Sequence, residues 1–368
     1  MIPIFEPDLS GNEREYLVQC AETGWVSSQG RFIPEFEAAF ARYHGVPFGV
    51  ATSNCTTALH LSLAALDIGP GDEVLCPDLT FIAPANMVHV TGATPVLVDV
   101  QPVSWGIDPE RMREAITERT KAVIVVHPFG HTADMDPIME IARAHGLAVI
   151  EDVAEAPGAL YKDQLAGSIG DLACFSFFAN KIITCGEGGM VLTRESAMND
   201  TLRVYRDHGM NLDRKYVHDV VGFNYRMTNM QAAVGLAQFE RLGHTQERRN
   251  RQAAYYAGRF GGNRRIIWRP TESWCTPVHW LATISLRHDG LRDRLLAHLK
   301  DQGIDGRQMV YPVHEARPYR DANDPARFPV SRSISLRTLH LPSSTTLTTD
   351  QLDRICDTVL DWVEKNDP

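Results

Sequence analysis

From about residue 48 onward, short apolar runs alternate with stretches of helical periodicity: FGVAT, TTALHLSLAAL, EVLCP, FIAPANMVHVTG and PVLVDV follow one another along the chain. The rhythm continues through a strand KAVIVVHP (121–128), a helix DPIMEIARAHG (136–146) and a strand LAVIED (147–152). Strands that are apolar at nearly every position have both faces buried, so the pattern predicts a mostly parallel sheet covered by helices. Ligands of such sheets bind beyond the carboxyl ends of the strands. Thr56, Thr57, Phe81 and Asp152 all fall at or just after such an end.

CFSFF (174–178) and GMVLT (189–193) read as further strands, followed by a helix to about residue 208 and a polar loop, NLDRKYVHDVVGFNYRM. One long helix is predicted over NMQAAVGLAQFERLGHTQERRNRQAAYYAGRF, its charged second half serving as a connector. Beyond it come a strand HWLATISLR, a helix DGLRDRLLAHLKDQG and a final helix LTTDQLDRICDTVLDWVEK, capped by Thr348 or Thr349. The expected organisation is a large α/β domain over residues 1–245 and a smaller carboxyl-terminal α/β domain over 246–368.

Composition narrows the function. The 368 residues are 44% hydrophobic and 22% charged, and 46 acids against 36 bases give a net charge of −10. That balance removes the basis for non-specific nucleic-acid binding, which needs clustered Lys and Arg to displace counterions from phosphates. The start, MIPIFEPDLSGNEREYL, lacks the basic and apolar stretches of a signal peptide. Apolar pieces such as AVIVV fall far short of the roughly 20 residues that span a bilayer, so no membrane segment and a cytoplasmic location are expected. Scattered cysteines without CxxC spacing fit a reducing compartment and argue against a structural metal site. Cys55, Cys174 and Cys185 are expected to be buried, inert thiols.

Two segments carry chemistry. EDVAEAPGA (151–159) closes a buried strand with an acid pair, and FSFFANKIITCGEGGM (175–190) joins a strand, a lysine and a glycine-rich stretch. Taken singly, the acid can be a cap, the lysine a solvated loop charge and the glycines turn residues. Together they supply what amino-group chemistry through an aldehyde cofactor needs: a Schiff-base lysine, a carboxylate for a pyridine nitrogen, and donors for a phosphate. Lys181 offers the amine and Asp152 the carboxylate. SNCTTAL (53–59), turning from strand to helix amino terminus, offers the phosphate cradle, with Ser176 adding a hydroxyl. Phe81, in PDLTFIAPAN, can stack on the ring or sit in the core.

SNCTTALHLSLAAL, GPGDEVLCPDLTFIA, GATPVLVDV, TKAVIVVHPFGH, VIEDVAEAPGALY, GSIGDLACFSFFANKIITCGEGGMVLT and VVGFNYRMTNMQAAVGLAQ occur in this order. The chain thereby resembles the sugar aminotransferases of the DegT/DnrJ/EryC1/StrS family, from about residue 2 to the carboxyl terminus. The resemblance implies a pyridoxal 5'-phosphate enzyme of the aspartate aminotransferase-like fold (fold type I), working as a homodimer with shared active sites. It implies that Lys181 carries the cofactor and shuttles the proton, that Asp152 lies under the pyridinium, and that Glu155 stands beside the phenolic oxygen. Thr56, Thr57 and Ser176 match phosphate ligands, Phe81 the stacking aromatic, and Asn224 an asparagine that reaches the neighbouring subunit's cofactor phosphate.

Within the family, FSFFANKIIT and VVGFNYRMTN are similar to the perosamine-forming members, which aminate C4 of GDP-linked 4-keto-6-deoxymannose. L-glutamate is then the expected donor and a nucleotide ketosugar the acceptor. Cys55 and Pro157 depart from many members, and Pro157 leaves the identity of the ketosugar more open. Other UDP- or dTDP-ketosugars and aminocyclitol ketones remain alternatives, as does a ligand-binding regulator without turnover, whose signature would be loss of the lysine or the aspartate. A diphosphate substrate needs facing cations, for which Arg214, Lys215 and His314 are candidates, and Trp25 can wall the sugar or pack in the core.

Overall fold

The computed structural model describes residues 1–367. Seven strands form the main sheet: β1 (Phe48–Thr52), β2 (Glu73–Pro77), β3 (Thr94–Val98), β4 (Thr120–Val126), β5 (Ala148–Asp152), β6 (Leu172–Ser176) and β7 (Gly189–Thr193). Their spatial order is β1-β7-β6-β5-β4-β2-β3. Only β7 runs against its neighbours, so the carboxyl ends of the other six strands share one edge.

Alternate residues of these strands feed two helical layers, as the two-residue side-chain period requires. Val74, Ile124, Ile150, Cys174 and Val191 pack with α3 (Cys55–Ala65), α4 (Ala83–Val90) and Leu202 of α7 (Ser196–Arg206). Their neighbours Leu75, Val123, Val125 and Val149 face α5 (Pro109–Ala115) and α6 (Met135–His145), while Phe175, Met190 and Leu192 face α2 (Phe32–Tyr43) and α8 (Asn229–Glu240). Helix α1 (Glu13–Thr23) adds Cys20 to that last layer.

A second sheet, β8 (Ile266–Trp268), β9 (Ala282–Leu286), β10 (Arg307–Gln308) and β11 (Thr338–Leu341), is antiparallel in the order β8-β9-β11-β10. It shares its own core with α9 (Leu242–Phe260), α10 (Arg292–Asp301) and α12 (Thr349–Asn366). Helix α11 (Pro329–Arg337) lies between α10 and α12 in the chain. Thr348 caps α12 through a reciprocal box with Gln351. Ile2 also belongs to this core, bridging to Ile304. The predicted single helix over 229–260 is two: it breaks at Arg241, whose guanidinium reaches Asp8 at 3.2 and 3.4 Å. The break frees α9 from the path of α8 and lets it turn onto the second sheet.

β1 is an edge strand, and unpaired edges need cover. Glu37 of α2 accepts from Ala51 N–H at 2.8 Å and pairs with Arg206 (2.9 Å) and Arg203 (3.0 Å) of α7. Those guanidiniums also donate to the carbonyls of Ala51 and Gly49. Glu37→Ala strands Arg206 without its carboxylate and is expected to cost about 3 kcal/mol. Urea unfolding of the variant against wild type measures this, and a difference within error would remove Glu37 as the clamp.

Candidate active site

The β-ladders place Thr52, Gly189 and Ser176 side by side at the ends of β1, β7 and β6. A side chain at Gly189 would put a Cβ 2.5 Å from the carbonyl of Asn54, so the glycine lets the turn after β1 lie against the sheet. Asn54 caps α3, accepting from Thr57 N–H at 2.8 Å, while the Thr57 hydroxyl answers to the Asn54 backbone and Ser53. The earlier first-turn N–H groups, on Cys55 and Thr56, have no intrahelical partner and make an anion site. Ser176 lies across from this turn with its hydroxyl near Phe178 N–H. Cys55, Cys174 and Cys185 are buried, and burial raises each thiol above its ordinary range.

The acid pair ending β5 splits by face. Glu151 is fully buried and accepts from His127 Nε2 (2.9 Å) and from the N–H groups of Gly167, Ile169 and Gly170. Burial alone would push its carboxyl up, but those donors outweigh it and hold it below the ordinary range. Asp152 points the other way with one backbone donor, Ala154 N–H, at 3.0 Å. Burial, with help from Glu155, pushes it up to about 6 despite Lys181 and His127. It is a buried carboxylate short of a cation.

Lys181 Nζ lies 3.5 Å from Glu155 Oε1, and Phe129 N–H donates to Glu155 Oε2 at 2.7 Å. The same ammonium sits 3.8 Å from the ring centre of Trp280, whose Nε1 donates to the Asn180 carbonyl. Lys181, Asp152, Glu155, Ser176, Thr56 and Thr57 therefore gather along one sheet edge. Trp280, Phe129 and Asn54 were missed in the sequence. An N-cap signal in Asn54-x-x-Thr57 was readable, whereas Trp280 and Phe129 read as ordinary core aromatics.

The remaining candidates lie differently. Phe81 is 63% exposed after β2, and Trp25 is 52% exposed, which excludes the core-packing alternative for both in the isolated chain. Asn224 is exposed and bridges Asp207 through its backbone. Arg214 and Lys215 stand in an exposed loop, with Arg214 3.9 Å from Asp219. His314 departs from the expected solvent-facing cation: its ring is buried, Nδ1 lies 2.7 Å from Asp78 and Phe328 stacks on it. Its charge is answered inside the protein, at the end of β2. Among the described residues no cluster of three or more His, Cys, Asp or Glu side chains could hold a metal.

A lysine beside a carboxylate, a buried acid short of a cation and a helix amino terminus on one sheet edge define a pyridoxal-phosphate enzyme of the aspartate aminotransferase-like architecture. The chain belongs to the DegT/DnrJ/EryC1/StrS aminotransferase family, whose model matches residues 7–360. It is 46% identical over 361 residues to the GDP-perosamine synthase of Caulobacter vibrioides, covering 96% of each chain, and 39% identical to that of Escherichia coli O157:H7, covering 97% of each. The solved structure of S. venezuelae DesV in complex with ketimine intermediate superposes with a TM-score of 0.91 at 35% identity, over 97% of this chain and 95% of that one. The chain is accordingly a pyridoxal-phosphate-dependent aminotransferase.

The residues present fit that cofactor. Asp152 lacks a cation that a pyridinium N–H would provide, and the α3 amino terminus and Ser176 suit a phosphate. Between about pH 4 and pH 6 the unfolded chain releases the Asp152 proton before the folded, cofactor-free one does, so stability falls across that window. Asp152→Asn is expected to stabilise the cofactor-free protein by on the order of 2 kcal/mol at neutral pH and by nothing below about pH 4. Denaturant unfolding at the two pH values checks it, and a pH-independent difference would contradict the assignment.

Proposed function

We propose that this chain moves the amino group of L-glutamate onto C4 of GDP-4-keto-6-deoxymannose, giving GDP-perosamine, and that it does so as a cytoplasmic homodimer. The observation that carries the proposal is the Lys181–Glu155 pair beside Asp152, in a chain matched end to end with GDP-perosamine synthases. No helix among the described residues is long and apolar enough to cross a membrane. The exposed aromatics Phe81 and Trp25, together with exposed Asn224, support a second copy covering the cofactor edge.

Pyridoxal phosphate, when bound, supplies an electron sink that makes the α-hydrogen of an amino acid acidic. Asp152 holds the proton on the ring nitrogen through its buried negative charge. Lys181 Nζ takes the α-proton of the donor and later returns a proton as the amine passes to the sugar, acting as general base and then acid. Glu155, fixed by Phe129 N–H, keeps that ammonium at the sheet edge. The α3 amino terminus with Thr56, Thr57 and Ser176 anchors the phosphate, while Phe81 covers the ring. Arg214 and Lys215 meet the substrate diphosphate.

Lys181→Ala is expected to abolish the visible absorbance band of the lysine-bound cofactor and to lower turnover by about 10³-fold or more. The GDP-ketosugar should be aminated in preference to UDP- and dTDP-linked ketosugars when each is offered with L-glutamate and the product mass is read. Amination of only a UDP or dTDP substrate would move the assignment to that sugar. A band that persists without Lys181 would remove its assigned role.

A further inference from the structure

Trp280 lies in the connection from β8 to β9, just before β9, yet it is 4% exposed and its ring meets Lys181. Lys181 Nζ to Glu155 Oε1 is 3.5 Å, the outer limit of a hydrogen bond, while the other carboxylate oxygen accepts from Phe129 N–H at 2.7 Å. The indole face, at 3.8 Å from its centre, is well inside the range in which a ring attracts a cation. Trp280 is itself held twice: Nε1 donates to the carbonyl of Asn180, the residue before Lys181, at 2.6 Å, and Phe129 stacks on it at 5.7 Å and 13°. Glu155, Lys181, Trp280 and Phe129 thus close a ring of contacts.

The second lobe, meaning the sheet β8-β9-β11-β10 with the helices that share its core and the loops between its strands, fixes that ring. Phe129 has φ +50, an unfavourable backbone for a residue with a Cβ. Arg269, just beyond β8, holds it there by donating to the carbonyls of Pro128 (2.9 Å), Phe129 (3.1 Å) and Ser104 (2.9 Å). Val278 N–H donates to Gly130 at 3.0 Å, and Gly130 has no room for a side chain because its Cβ would meet the Val278 carbonyl.

We propose that Trp280 is a positioning residue for Lys181, its indole face holding the lysine ammonium within reach of the reacting carbon once that amine has taken the donor's α-proton. The inference rests on Lys181 being the cofactor-bearing lysine. A four-carbon side chain released into an open site would sample many rotamers. Once the amine carries that proton, the ring narrows the search without taking the proton away, since a π face attracts the cation but accepts no proton from it.

The holoenzymes of Trp280→Phe and Trp280→Leu test this, beside a series with singly and multiply fluorinated tryptophan placed at position 280 alone. The Trp280→Leu variant should lose about tenfold in kcat with KM for L-glutamate within about twofold, and the Trp280→Phe variant should keep most of the activity. Fluorination changes ring charge with little change in shape, so kcat should fall stepwise along that series. In cofactor-free protein, acetylation of Lys181 relative to Lys162, read by peptide mass, should rise several-fold in the Trp280→Leu variant and little in the Trp280→Phe variant. Should the Trp280→Leu variant fail to fold, the fluorinated series decides alone. A flat fluorinated series, or equal losses in the two variants with unchanged Lys181 labelling, overturns the proposal. Borohydride reduction separates this outcome from failure of the lysine assignment: reduced cofactor found on another lysine refutes the role of Lys181 and with it the inference.

Discussion

The structure depends on how two consecutive carboxylates are buried at the end of one strand. Glu151 and Asp152 face opposite sides of β5 because successive side chains alternate. A buried carboxylate is tolerable when several donors surround it, and Glu151 has a histidine and three backbone N–H groups. Those N–H groups come from residues 167–170, so satisfying Glu151 sets the loop that feeds β6 and, beyond it, Lys181. Asp152 is left with one donor and a raised carboxyl. The protein spends the first acid on its own loop and keeps the second short of a cation, which is the condition for holding a protonated ring nitrogen.

The second lobe answers a related constraint with cations. Arg269 and Arg249 are both paired with carbonyl oxygens and with no carboxylate, Arg249 through the carbonyls of Trp280, His279 and Ser343. Burial lowers them to about 9 and about 10, which still leaves both charged at neutral pH. The histidines around Arg269 yield instead: burial first, then Arg269, pushes His131 to about 3 and His279, which also feels Arg249, to about 4, while burial, then Arg307 and Arg269, pushes His340 to about 3. Neutral rings can pack beside the guanidinium, and His340 stacks on Phe129 at 4.6 Å. Arg269 thereby grips the Phe129 turn of the first sheet, and Arg249 holds the Trp280 segment within the second lobe.

Much of this was legible in the sequence wherever the signal was local. Apolar runs marked the strands, and the strand-end position of Asp152 and the lysine before a glycine stretch marked the chemistry. Resemblance added Glu155, which no spacing argument would have selected. What stayed hidden depends on distant residues meeting. Trp280 reaches Lys181 across 99 positions of sequence, and nothing in HWLATISLR distinguishes it from a core tryptophan. The break at Arg241 was hidden because Gly243, two residues on, is a residue helices also tolerate, and the Arg241 side chain pairs with Asp8 at the far end of the chain. His314 looked like a free cation because Asp78, its partner, lies 236 residues away.

A parallel sheet edge is well suited to donate and poorly suited to cover. Strand ends and the α3 amino terminus present N–H groups and hydroxyls, which serve a phosphate and a carboxylate, but they form a floor. Apolar cover for a charged amine has to arrive from another part of the chain, and Trp280 is the element that the second lobe sends. Phe81, Trp25 and Asn224 receive no such cover from their own chain, and two of them are large aromatics left more than half exposed. Burying aromatic surface of that size is among the strongest gains an interface can make. The second copy proposed above would bury that surface, and a copy seated over the sheet edge would make closing the dimer and closing the site the same event.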